Sequence, residues 1–159
     1  PLQHQIIKHM YTENGTLLTP LEMVSGTPTG LQYFINYINV LEGAKTKIKN
    51  LHWGAKNLPN SDKRGAHLYL DDFLGIVGDF QDTVAESSSG ILGEMDLNAV
   101  SGVPMTCTTP RDLINTLLDK TISFYENLPS GTQYVGIRSE TEVFIKDLTK
   151  YKYLFRLTE

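Results

Sequence analysis

The stretch from His67 to Glu86 limits what this chain can become more than any other. On an α-helix, at about 100° per residue and with His67 set at 0°, Asp71 falls near 40°, Asp82 near 60° and Glu86 near 100°. One helix face therefore carries three acids and a histidine. Gly78, at about 20°, and Gly75, at about 80°, share that face between the two polar pairs. Such a face is neither an ordinary core stripe nor an ordinary solvated one. Glycine weakens a helix, so two of them here suggest that another backbone comes close.

Distance sharpens the point. His67 and Asp71 are one turn apart, as are Asp82 and Glu86, but Asp82 comes a step of eleven residues after Asp71, which is roughly 16 Å of helix. Metal–ligand bonds are only about 2 Å long, so one helix cannot bring all four groups to one ion. Two copies packed antiparallel about a two-fold axis can. His67 and Asp71 of one chain then meet Asp82 and Glu86 of the other, giving two equivalent sites per dimer, with Gly75 and Gly78 near the crossing point.

The rest of the chain suits a helical host for this face. Its 159 residues are 40% hydrophobic and 20% charged, a balance that supports one globular domain with a core. A net charge of −4 gives no general attraction to nucleic acid. A single cysteine, Cys107, excludes an internal disulfide framework and suits a reducing, cytoplasmic setting. No apolar run reaches membrane-spanning length. Residues 1–11 lack a signal-peptide pattern, and residues 1–26 read as an N-terminal arm with Lys8 as their single lysine. The domain itself is expected over residues 27–159.

Four helices are expected. The first begins near Thr27 and Pro28, a cap and a first-turn proline. It buries Phe34, Ile38, Leu41, Ile48 and Leu51, with His52 ending the stripe. A loop rich in turn formers, Asn57, Pro59, Asn60 and Ser61, folds the chain back. His52 and His67 then lie at the same end of a hairpin. The second helix spans about Lys63 to Ser88 and buries Leu70, Phe73, Leu74, Val77, Phe80 and Val84. A Gly-, Ser- and Pro-containing stretch to about Thr109 is long for a helix connection and fits a crossover between parallel central helices. The third helix starts at Thr109-Pro110 with Asp112 three residues after the cap, and runs to the Pro129-Ser130-Gly131 stop. For the fourth, Ser139-x-x-Glu142 reads as a capping box, followed by Val143, Phe144, Leu148, Tyr151 and Phe155 as the buried stripe.

These residues carry a resemblance. His52-Trp53, His67-x3-Asp71 and Asp82-x3-Glu86, with the run Asp82-Thr-Val-Ala-Glu86, resemble the ferroxidase signature of the Dps-like miniferritins, the DNA-protection-during-starvation family of the ferritin-like superfamily. The helix order is similar over roughly residues 27–157, and only the 52–86 stretch is specific. The spacing from His52 to His67 is longer than is usual in the family, and Ser87 stands where the family has arginine. The resemblance implies an all-α, ferritin-like up-down four-helix bundle, with a short helix around Asp96 to Val100 inside the crossover. It implies that His52, His67 and Asp71 of one subunit meet Asp82 and Glu86 of its mate. Those five residues are the expected metal ligands and catalytic set.

The expected function is iron binding, ferroxidase activity and iron storage with protection against oxidative stress, hydrogen peroxide being the oxidant the resemblance favours. The partner is a second copy of the chain, and the resemblance implies a hollow dodecameric shell. Oxygen and nitrogen ligands suit Fe(II) and also accept Mn(II) or Zn(II). Trp53, beside the site, is placed either to take up stray oxidising equivalents or to pack. Glu140 and Glu142 are placed either beside pores through which ions pass or as partners of a helix dipole. The alternative is a ferritin-like structural or assembly protein that keeps the ligands without turnover. A DNA-binding role is weaker, since the basic tail used by some family members is absent. No Gly-rich phosphate loop, zinc-type cysteine pairing or Glu-x-x-His pair points elsewhere.

Overall fold

The computed structural model describes residues 30–93 and 100–159. Among them there are four α-helices and no strand. They are α1 (Gly30–Trp53), α2 (Lys63–Leu92), α3 (Pro110–Glu126) and α4 (Val135–Leu157). None is long and apolar enough to cross a membrane. The N-terminal arm, the Thr27-Pro28 cap and residues 96–99 of the expected short crossover helix lie outside the described residues.

The helices form a four-helix bundle in which α1 packs on α2 and α3, and α4 packs on α2 and α3. Cross-contacts fix their directions. His52 at the end of α1 stacks on His67 near the start of α2, so these two are antiparallel. Tyr37 near the start of α1 bonds Thr121 near the end of α3 at 2.8 Å. Phe73 early in α2 meets Tyr151 late in α4. Consequently α2 and α3 run the same way, and the chain between them must travel the length of the bundle. Its described part does so along α1. The Val103 amide donates to the Asn39 carbonyl at 2.9 Å, and the Ser101 amide donates to Asn39 Oδ1 at 2.8 Å.

The buried stripes follow helical periodicity. Phe34, Ile38, Leu41, Ile48 and Leu51 of α1 are buried, as are Leu70, Phe73, Val77, Phe80 and Val84 of α2. Leu74 lies at the edge of that core and is half-buried. On α3, Leu113, Leu117, Thr121 and Phe124 are buried, with Leu128 just beyond its end. Each fully buried Leu or Phe side chain contributes about 1.5–3 kcal/mol relative to leaving it in water. Aromatic rings bind the layers: Tyr37 on Phe124 at 3.9 Å and Phe80 on Phe144 at 4.1 Å.

The caps hold in part. Thr109 accepts from the Asp112 amide, and Pro110 takes the first turn of α3. Asp62 caps α2 by accepting from the Gly65 amide at 2.8 Å, and α2 continues to Leu92, four residues past the expected Ser88. The fourth helix differs from expectation. It begins at Val135, out of a 3-10 turn at Thr132–Tyr134. Ser139 and Glu142 are interior, exposed helix positions, so they form no capping box. The cause is Ile137, which is 2% exposed and draws the segment before Ser139 into the core. Val143 is 43% exposed; Ile137 and Thr141 fill the stripe instead. The first turn of α4 holds no acid, which removes the dipole reading of Glu140 and Glu142.

Candidate metal centre

The expected ligands all lie on α1 and α2. The return loop folds α2 back so that His52, one residue before the end of α1, meets His67 in the second turn of α2. Their rings stack with centroids 4.0 Å apart and planes 24° from parallel. His52 Nδ1 lies 3.2 Å from the His67 carbonyl, and His67 Nδ1 lies 3.3 Å from the His52 carbonyl. A carbonyl can only accept, so each Nδ1 carries the proton it donates. In the neutral rings the lone pairs are therefore on both Nε2 atoms. A ring nitrogen held this way by a backbone carbonyl is the usual support of a metal-ligating histidine. Both histidines are half-buried.

Asp71 follows His67 by one turn and is exposed, and so are Asp82 and Glu86. Gly75 is exposed and Gly78 half-buried between them. Among the described residues, a Cβ built on either glycine meets nothing within 4 Å, and nothing covers this face of α2 at the two glycines. The chain brings His52, His67 and Asp71 to one end of the hairpin and leaves Asp82 and Glu86 at the other. Among the described residues no three His, Cys, Asp or Glu side chains converge within the single chain. Trp53, next to His52, is 73% exposed, so its indole is not packed into its own core.

Sequence reasoning missed a polar staple between the same two helices. Gln81 is buried beside Asp82. Its amide donates to Glu42 Oε2 at 3.0 Å and to the Ile38 carbonyl at 3.2 Å, while its carbonyl accepts from Lys45 at 2.8 Å. The Gln81 hydrogen bond, assisted by Lys45, holds the Glu42 carboxyl below its usual range. Gln81 falls about 40° outside the ligand arc, toward the core, the one signal that marked it. A second missed feature is the crossover seat. A Cβ on Gly43 would lie 1.8 Å from the Val103 carbonyl oxygen, so only glycine admits the passing chain there. Cys107, in that crossover, is half-buried, and burial pushes its thiol up rather than activating it. A groove between α2 and α4 is lined by Asp79, Glu140 and Asp147, but it contains no histidine.

Compared with known proteins, the chain matches no family model, and neither a curated protein nor a solved structure is significantly similar to it.

Proposed function

We propose that this protein is a ferritin-like ferroxidase and iron-storage protein of the Dps-like miniferritin type, protecting against oxidative stress by oxidising Fe(II) with hydrogen peroxide. The observation that carries the reading is the His52–His67 pair, with both Nδ1 atoms tied to backbone and the exposed Asp71 one turn away. That is half of a ligand set. Asp82 and Glu86, on the same face at the far end, are the other half when a second copy packs antiparallel. Parallel α2 and α3 with a long connection between them support the ferritin-like reading.

In this reading ferrous iron is the substrate. Asp82 and Glu86 of one subunit hold it most firmly, and His67 and Asp71 of the mate complete the set, with His52 as the weaker or second-ion ligand. Carboxylates become better partners as iron gains charge, so they favour the oxidised product. Peroxide accepts one electron from each of two ferrous ions, and the ferric product passes to a mineral inside a hollow shell of twelve subunits. Mn(II) or Zn(II) can occupy the same donors.

One observation favours a second reading. The reciprocal histidine bonds also fix both rings through Nδ1 without any metal, as a structural helical dimer or assembly module needs. An anaerobic Fe(II) titration followed by a peroxide pulse separates the two. Saturable binding at two equivalent sites per dimer, with fast peroxide-dependent oxidation, is expected. Binding or assembly without oxidation above background supports the structural reading.

A further inference from the structure

The crossover presses on α1 at one point and then leaves it. Its Val103 sits on Gly43, and the Val103 amide donates to the Asn39 carbonyl at 2.9 Å. From there the chain passes from α1 to α3, and a cavity opens on each side of it. One, of about 270 Å³, lies against α1, where Thr46, Lys47 and Asn50 line it. The other, of about 220 Å³, lies toward α3, where Thr116 and Lys120 line it. Val103, Pro104 and Met105 line both, so this strap is their shared wall.

The two linings agree in chemistry. Val40, Met105 and Cys107 supply apolar surface, and all three are half-buried against the core. Each cavity adds one lysine and threonine hydroxyls. No acid lines either cavity, in a chain whose net charge is −4. Lys47 is half-buried, and among the described residues neither lysine has an ion pair. Burial pushes the Cys107 thiol up and the Lys47 ammonium pulls it back, so the charge of the first cavity reaches into the second. A groove with charge of one sign on low-dielectric walls concentrates the opposite ion.

Size and donors narrow the ligand. Each cavity is smaller than the roughly 300 Å³ at which sites for drug-sized molecules begin, so a narrow body fits. No arginine lines them, and an ammonium is a point charge, better matched to a singly charged head than to the forked contacts a phosphate takes. We propose that the strap groove binds a small carboxylate with an unbranched apolar tail. Its head lies on Lys47, with Thr46 and Asn50 beside it, and its tail follows Met105 toward Cys107. Lys120 adds positive field at the far mouth. None of the five proposed metal ligands lines either cavity, so this site stands apart from the ferroxidase reading.

Octanoate is the probe, titrated into the full chain by calorimetry at low salt. Saturable binding at one site per chain is expected, with octanol and octylamine binding far more weakly. Lys47→Gln should weaken octanoate binding about tenfold, the loss of one charge-assisted contact. Lys49→Gln, on an exposed residue of the same helix outside both cavities, should leave it unchanged. No binding, or the same affinity in Lys47→Gln as in wild type, overturns the proposal. Cys107 is the chain's one thiol and lines the second cavity, so it reports where the tail lies. Saturating octanoate should slow its alkylation by N-ethylmaleimide several-fold, and octylamine should not. Alkylation that octanoate leaves unchanged overturns the proposed site.

Discussion

His52 and His67 hold each other: each ring donates its Nδ1 proton to the other residue's backbone carbonyl, at 3.2 and 3.3 Å, across a 4.0 Å stack. The pair closes the α1–α2 hairpin and sets the lone-pair tautomer of both rings.

Removing either ring loses one hydrogen bond and the stack but leaves the other ring's bond intact, since the carbonyls remain. His52→Ala and His67→Ala should therefore each lower stability by about 1 kcal/mol, the net worth of one such bond. Urea denaturation of the metal-free protein measures this. Both substitutions should also weaken Fe(II) or Zn(II) binding, with His67→Ala the more damaging. A stability loss with unchanged metal affinity would assign the pair to structure alone.

Gly43→Ala should destabilise the bundle by about 1–3 kcal/mol, because its Cβ meets backbone that cannot rotate away. Gly75→Ala meets none of the described residues and should raise the helical stability of the isolated chain by up to about 1 kcal/mol. Denaturation midpoints of the two variants should move in opposite directions.

Glu42 supplies a pH dependence whose sign is fixed. Its folded carboxyl lies below the usual range because Gln81 donates to it and Lys45 lies beside it. The unfolded chain thus binds its proton first, and stability due to this group is complete above the ordinary carboxylate range. It is lost as pH falls through the lowered folded value. Glu42→Gln should flatten the acid limb of a plot of urea midpoint against pH and leave its slope near neutrality unchanged.

Tyr37 is buried, with its phenol pushed well above the usual range by desolvation, and it bonds Thr121. The unfolded tyrosine ionises first as pH rises past its ordinary value, so this group's contribution is lost at alkaline pH. Tyr37→Phe should cost about 1 kcal/mol at neutral pH, since Thr121 keeps its bond to the Leu117 carbonyl. It should also blunt the alkaline loss, which an alkaline denaturation series measures.

Much of this was legible in the chain because it depends on local order. Thr109, Pro110 and Asp112 announce α3 through groups within one turn, and the buried stripes of α1 and α2 repeat at helical spacing. The hairpin followed from the short return loop, which put His52 beside His67. What escaped depends on residues distant in sequence. Gly43 is glycine because Val103 passes over it, sixty residues later. Ser139 and Glu142 match a capping box, yet Ile137 overrides them by packing into a core formed by other helices. The reciprocal bonds of the two histidines needed the helix separation, which periodicity does not give.

The shared site can be tested by complementation. His67→Ala/Asp71→Asn and Asp82→Asn/Glu86→Gln chains should each assemble and fail to oxidise Fe(II) with peroxide. After subunit exchange of an equal mixture, half of the dimers are mixed and each mixed dimer holds one intact site, so the oxidation rate should recover to about a quarter of wild type. A mixture that exchanges subunits yet remains as inactive as its parents, beside an active wild type, would contradict a site built from two chains.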